Sequence, residues 1–370
     1  MIRRAQSLSE ALGELGLGAY YCRTTSDIRW LTGFTGVFDS ENAHLALVTS
    51  NGVSVHTDGR YSTAMRERAV DADACSPLAI SDEPMTHAAF AARELAGAGP
   101  MRLGIEKDIA LSEYRLLVSE LEKAGVVCEL VEVANPVARL REVKDASEAG
   151  AMRRAQEITD RCFDDLLGWI APGMTELEIA NEMEYRMRGF GAAGLAFPSI
   201  VASGPHSAMP HAIPSARRIE AGDFVVLDFG ARLGDYCSDM TRTIAVGEPT
   251  AEMRHIYDTV LRAHEACKEL IAPGVRCSEV HDLARRIIDE AGYEGRFTHG
   301  LGHGVGIDVH EGPTLSPRNT EGELVVGNVV TVEPGIYVPG VAGVRIEDFG
   351  IVADTGFDGF TQSPHDLIVV

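Results

Sequence analysis

The sequence predicts an α+β protein of two domains, a smaller α/β domain over residues 1–135 and a larger one over 136–370 built from duplicated αβ halves. Three observations predict it. Up to about Asn135 the chain alternates strand-like and helix-like patterns, whereas at Asn135-Pro136 the texture changes and Ala146 to Trp169 reads as one long helix. Beyond that point the chain repeats itself. Ile170-Ala171-Pro172-Gly173 opens one helical segment and Ile271-Ala272-Pro273-Gly274 opens another, 101 positions later (271 − 170).

In the first domain, Ala43 to Thr49 and Val53 to Thr57 read as strands joined by an Asn51-Gly52 hairpin turn, and Tyr61 to Val70 as a helix. Leu103 to Glu106 is a further strand, followed by a helix from Ser112 to Ala124 with Ser112 as its N-cap. No catalytic cluster is evident there.

Composition narrows the partners. With 370 residues, 45% hydrophobic and 24% charged, the chain can bury a sizeable core, and its net charge of −22 argues against nucleic acid or an anionic membrane, which require basic faces. Glu10 and Glu14 interrupt any signal-like start after Met1-Ile2-Arg3-Arg4, and no apolar run approaches a membrane span, so the cytoplasm is the expected compartment. Seven cysteines without a C-x-x-C pair read as reduced, buried thiols.

The second domain carries the chemistry. Thr298 to Glu311 sets His299, His303 and His310 along a segment too rich in glycine for an ordinary helix; alternation with Val and Ile reads as a strand delivering ring nitrogens to one pocket. Its counterpart in the first half is Ser203 to His211. The strands that follow also correspond: Phe224-Val225-Val226-Leu227-Asp228-Phe229 is echoed by Val329-Val330-Thr331-Val332-Glu333, with the acids 105 apart (333 − 228). A second acid follows each, Asp239 and Glu347.

An unpaired carboxylate buried in such apolar strands costs several kcal/mol. Arg242 and Arg345 are the basic residues close in sequence, set against four acids, and carboxylates about 4 Å apart repel by roughly 4 kcal/mol per pair at an effective dielectric near 20. Two divalent ions balance four carboxylates. A dinuclear site with His303 as its nitrogen ligand is therefore expected, in oxygen-dominated ligation that suits Mn, with Co, Zn or Fe as alternatives. Because His303 must be neutral to ligate, metal occupancy is expected to fall below about pH 6. Gly300 to Gly304 does not read as a phosphate loop, since no Lys-Ser/Thr follows it.

These residues resemble the pita-bread metallopeptidases, in the branch of Xaa-Pro dipeptidase (prolidase) and aminopeptidase P. His299 to Glu311 is similar to that branch's signature throughout, and the order Asp, Asp, His, Glu, Glu is its ligand order. The resemblance implies a curved antiparallel sheet between pseudo-twofold halves, with Asp228, Asp239, His303, Glu333 and Glu347 as ligands of two divalent ions. By the same likeness Asp239 and Glu347 bridge the ions, Asp228 chelates one, and His303 and Glu333 hold the other. It also implies that His211 and His310 bind substrate around the scissile bond and that Glu333 handles the proton of the attacking water. Asp27 to Phe34 and Thr57 to Tyr61 look like a creatinase-type amino domain. Creatinase itself and the metal-free modules of histone chaperones lack the full ligand set. The implied enzyme is a homodimer that cleaves short peptides between an N-terminal residue and proline. Its alternatives are a hydrolase or lyase of a small non-peptide compound (creatinase-, ectoine-hydrolase- or DMSP-lyase-like) and a silent binding module.

A dipeptidase needs a cation beyond the second residue's pocket, to meet the free carboxylate. Arg345 and Arg318 are the candidates, each set against a plainer role: an ion pair within the carboxylate cluster and an exposed loop charge. The modest chain length leans towards the dipeptidase. Cys237 shares strand parity with Asp239 and is expected to pack behind the site.

Overall fold

The computed structural model describes residues 2–39, 41–69 and 78–370. The chain divides into two compact units, Met1–Arg141 and Glu142–Val370. In the first, a six-stranded sheet runs in the order Leu78–Ser81, Gly52–His56, Leu45–Thr49, Ala19–Cys22, Met101–Glu106, Cys128–Val133. Leu45–Thr49 is antiparallel to both neighbours, and the remaining pairs are parallel. The hairpin loop is Ser50-Asn51 rather than Asn51-Gly52, because Gly52 already pairs with Thr49 and opens the strand at φ 128°. The helix expected from Tyr61 spans Ser62–Arg68, and Val70 lies outside the described residues. Helix Leu111–Lys123 starts after Ala110, which leaves Ser112 in its first turn instead of at the cap. Helix Pro136–Arg141 packs on helices Ile2–Glu14 and Thr25–Thr32, and Arg141 pairs with the buried Asp27 at 2.7 Å. That packing carries the first unit past Asn135-Pro136 to Arg141.

The second unit repeats one design twice. Asp145 caps helix Ala146–Leu167 in a reciprocal capping box with Glu148, an arrangement worth about 1 kcal/mol. This helix and Glu176–Gly189 cover an antiparallel sheet of Met240–Ala245, Phe224–Phe229 and Ile200–Ser203. Helices Ala251–Leu270 and Cys277–Ile288 cover a second sheet, in the order Glu311–Leu315, Gly302–Gly304, Val329–Val332, Asp348–Ala353, Gly356–Gly359. Each half has its own core. Phe163, Met183, Val225, Leu227 and Phe229 belong to one, and Ile256, Val260, Val280, Val330 and Val332 to the other, each such buried side chain contributing about 1.5–3 kcal/mol. The sheets meet where Thr241 bridges to Glu347. Among the described residues no helix is long and apolar enough to cross a membrane.

Candidate metal centre

Strand alternation decides which side chains face away from the helices. Val225, Leu227 and Phe229 enter the first core, which turns Asp228 to the opposite face; Val330 and Val332 enter the second, which turns Thr331 and Glu333 away from it. Asp239 stands just before strand Met240–Ala245, and Glu347 joins Ala342–Arg345 to Asp348–Ala353. Thr241 Oγ1 donates to Glu347 Oε2 at 2.7 Å. A Cβ on Gly302 would lie 2.1 Å from the Thr331 carbonyl oxygen, so only glycine lets strand Gly302–Gly304 come this close to Val329–Val332.

That approach delivers His303. Its backbone N–H donates to Thr331 Oγ1 at 3.0 Å, and Thr331 Oγ1 lies 3.3 Å from Glu333 Oε1. Nδ1 is 3.0 Å from the Gly304 carbonyl, which can only accept, so Nδ1 carries the hydrogen and Nε2 presents its lone pair. Nε2 stands 3.3 Å from Glu333 Oε1 and 3.6 Å from Asp239 Oδ2. Burial, helped by His310, pushes the imidazole down to about 4, so the ring is neutral at ordinary pH.

The carboxyls move the other way. Burial, then the charges of Asp228 and Glu333, lifts Asp239 well above the usual range; burial and Asp239 do the same to Glu347. Glu333 is pushed up to about 8 by burial, with Asp228 adding to it against the pull of Arg345. Arg345 is the ion pair within the cluster. Its Nη2 donates to Asp228 Oδ2 at 2.5 Å, Nη1 to Tyr337 Oη at 2.9 Å and to the Pro210 carbonyl at 3.2 Å, and Nε to Thr241 Oγ1 at 3.1 Å. One guanidinium against four carboxylates leaves a formal −3, which one divalent ion reduces to −1 and two take to +1 (−3 + 2, −3 + 4). Charge alone therefore does not select two ions once Arg345 is counted. Among the described residues Asp228 Oδ1 is buried without a hydrogen-bond partner, and ligand atoms of Asp239, His303 and Glu347 lie within 4.8 Å of one another. Four carboxylates and an imidazole lone pair fit divalent cations.

These residues open on a cavity of about 590 Å³, large enough for a short peptide. His211, His299, His303 and His310 all line it, with Phe197, Ile200, Ile213 and Val309 as apolar wall. Only His303 lies on the short strand; His310 sits in the bend after it, its ring centroid 4.4 Å from that of His303. His299 turns from the acids: Nδ1 donates to the Gly300 carbonyl at 2.7 Å and Nε2 accepts from Tyr337 Oη at 2.8 Å. Arg318 does not line this cavity and is exposed in a separate hollow with Glu142 and Asn319. Cys237 is buried, and its Sγ lies 3.4 Å from the Ile307 carbonyl, a packing role behind Asp239. Two further clusters have fixed partners. Asp348, beside His264 and His365, is held by Arg242 and Lys268; Glu106, near Cys22 and Asp27, accepts from the backbone of Arg23 and Thr24. Sequence reading missed Thr241, Thr331 and Tyr337. Thr331 shares strand parity with Glu333, the acid it serves, and Thr241 with Asp239, which is the signal that could have found them.

Residues 150–354 match the profile of metallopeptidase family M24, and residues 4–143 match that of the creatinase/prolidase N-terminal domain. Over 266 residues the chain is 40% identical to a Xaa-Pro dipeptidase of Pyrococcus furiosus, an alignment covering 72% of this chain and 75% of the relative. A solved Xaa-Pro dipeptidase from Bacillus anthracis superposes with a TM-score of 0.90 at 36% identity, covering 100% of this chain and 99% of that one. An X-Pro aminopeptidase from Thermotoga maritima gives 0.84 at 33% identity, covering 98% and 100%.

Proposed function

The chain belongs to metallopeptidase family M24, and from that membership we propose that it hydrolyses the peptide bond between an N-terminal residue and proline, using divalent cations. The observation that carries the reading is His303, whose lone pair faces Glu333 and Asp239 in an open cavity. Asp228, Asp239, His303, Glu333 and Glu347 would hold two ions, with Asp239 and Glu347 shared and manganese tested ahead of cobalt, zinc and iron. Bound there, the ions would activate a water and polarise the scissile carbonyl. Glu333, ionised when cations are bound, would receive the proton of the attacking water. His211 and His310 donate to the carbonyl oxygen as negative charge develops on it. Desolvation in the cavity, with His211 nearby, keeps His310 below the usual imidazole range, so it donates as a neutral ring.

Relatives named as peptidases favour this reading over a non-peptide hydrolase or lyase, and the intact ligand set speaks against a silent binding module. The substrate is then a short proline-containing peptide and the enzyme a cytoplasmic homodimer, an assembly that light scattering tests. Arg345 is engaged on three sides by the protein itself, which weakens its candidacy as a receptor for a dipeptide's carboxylate. Metal analysis with parallel hydrolysis of Ala-Pro, Ala-Pro-Ala and Ala-Ala is the deciding experiment. Faster cleavage of Ala-Pro assigns a dipeptidase and faster cleavage of Ala-Pro-Ala an aminopeptidase. Cleavage of neither, in metal-loaded protein, overturns the reading.

A further inference from the structure

Building on the reading of His211 as a substrate-binding donor, we propose that Glu176 is a positioning residue for the pocket, its carboxylate fixing the loop that carries His211 by holding both of the loop's stems. The segment between Ser203 and Ser215 supplies Pro210, His211, Ala212, Ile213 and Pro214 to the cavity wall. His211 is exposed, and among the described residues its ring has no hydrogen-bond partner, so no polar contact of its own holds it apart from the loop that carries it.

Glu176 opens helix Glu176–Gly189 and is 0% exposed. Oε1 accepts from the Ser203 N–H and the Ser203 hydroxyl, both at 2.8 Å. Oε2 accepts from the Ser215 N–H at 3.0 Å and the Ser215 hydroxyl at 2.7 Å. His206 Nδ1 lies 2.9 Å from both oxygens. The direction of each serine hydroxyl bond is fixed by a neighbour. Arg217 Nη1 donates to Ser203 Oγ at 2.6 Å and Arg217 N–H to Ser215 Oγ at 3.1 Å, so each hydroxyl must spend its own hydrogen on the carboxylate. Asp223 holds Arg217 in turn, at 2.6 Å. Four serine donors thus converge on two oxygens that offer about four lone-pair sites, the full complement of an ionised carboxylate, and against that charge His206 Nδ1 is placed to donate as well. Burial opposes that charge, yet bonds from Ser215, His206 and Ser203 keep the carboxyl below its usual range.

The loop is seated at its middle as well. The Gly343 N–H donates to Ser207 Oγ at 2.7 Å, and a Cβ on Gly343 would come 1.9 Å from the Ser207 carbonyl oxygen. The same strand, Ala342–Arg345, ends in the arginine that donates to the Pro210 carbonyl and to Asp228. A shift of the stems is therefore felt at His211 and at the edge of the carboxylate cluster.

Glu176→Gln tests this in the metal-loaded enzyme. Whichever way the amide turns, its NH₂ faces a serine N–H and hydroxyl that are both donors, so one stem is released. The variant should keep its metal and lower kcat for Ala-Pro by about tenfold or more, with KM changed much less, because the donor it displaces acts as charge develops on the carbonyl oxygen. Hydrogen exchange of the 204–214 amides should quicken by about tenfold while strand Phe224–Phe229 is unchanged. In a His211→Ala background the same substitution should add less than about threefold, since a residue acting through His211 has nothing left to position. Glu176→Asp, which keeps the charge and shortens the reach, should fall between the two and guards against a misfolded glutamine variant. Equal factors with and without His211, or unchanged loop exchange, would overturn the proposal. If wild-type enzyme cleaves no Xaa-Pro peptide, the reading of function fails, and the exchange measurement decides the loop's dependence on Glu176 by itself.

Discussion

His303 has one nitrogen committed to a backbone carbonyl and the other left facing two acids, and this asymmetry separates a ligand from the imidazoles around it. His310 shares the cavity, but among the described residues no carboxylate lies within ion-pair distance of its ring, so removing it should cost catalysis and not metal. We expect Asp239→Asn to lose metal and nearly all turnover, and His310→Ala to retain metal with kcat lowered by roughly 10²-fold, the scale of one transition-state donor. Metal analysis alongside kcat checks both, and a metal-free His310→Ala protein would sink the division of roles. The acids themselves were legible in the sequence because an ionisable group inside an apolar strand announces an unmet charge. Arg345 was ambiguous at that level. Its ion pair with Asp228 depends on strand Ala342–Arg345 lying beside Phe224–Phe229, a long-range placement that no local pattern encodes.

Elements with a repeating signal were readable, and those without one were not. The long helix after Asp145 carries its own start signal in the capping box, whereas Ala19–Cys22, a central strand of the first sheet, is four residues buried on both faces and so lacks alternation. The boundary near residue 135 drifted for a related reason: Asn135-Pro136 begins a helix, and the packing that assigns this helix to the first unit is tertiary. In the histidine-bearing strand, glycine spacing pointed to close approach, and the geometry grades it. A Cβ would meet the Thr331 carbonyl at 2.1 Å from Gly302 but the Leu315 carbonyl at 3.3 Å from Gly300. Gly302→Ala should therefore push the His303 strand off its neighbour, costing about 1–3 kcal/mol and lowering metal occupancy. Gly300→Ala should cost far less. Thermal unfolding of both variants, with metal content measured in parallel, would refute the argument if the two ranked the other way.

At the scale of the molecule, each duplicated half brings two acids to the seam marked by Thr241 and Glu347, so folding itself assembles the charge repulsion that cations relieve. The sequence alone made His303 the pH-sensitive ligand, with occupancy falling below about pH 6. Burial instead holds that ring near 4 and transfers the sensitivity to the carboxyls. Glu333 rises from its usual 4.5 to about 8, and Asp239 and Glu347 rise as well. A carboxyl raised in the folded state favours folding in its protonated form. The stability it contributes is complete below about 4.5 and is lost as pH rises through about 8. Chelated protein should therefore melt at a lower temperature at pH 8 than at pH 5.5, and added manganese should remove the difference by taking the protons' place. The same competition requires binding near neutral pH to release protons, so that manganese affinity climbs with pH through about 8. Calorimetric titration at pH 6, 7 and 8, in two buffers of different ionisation enthalpy, measures both the affinity and the protons released. Affinity that is flat over that range, with no proton release, would mean that the acids are already ionised in the apoprotein.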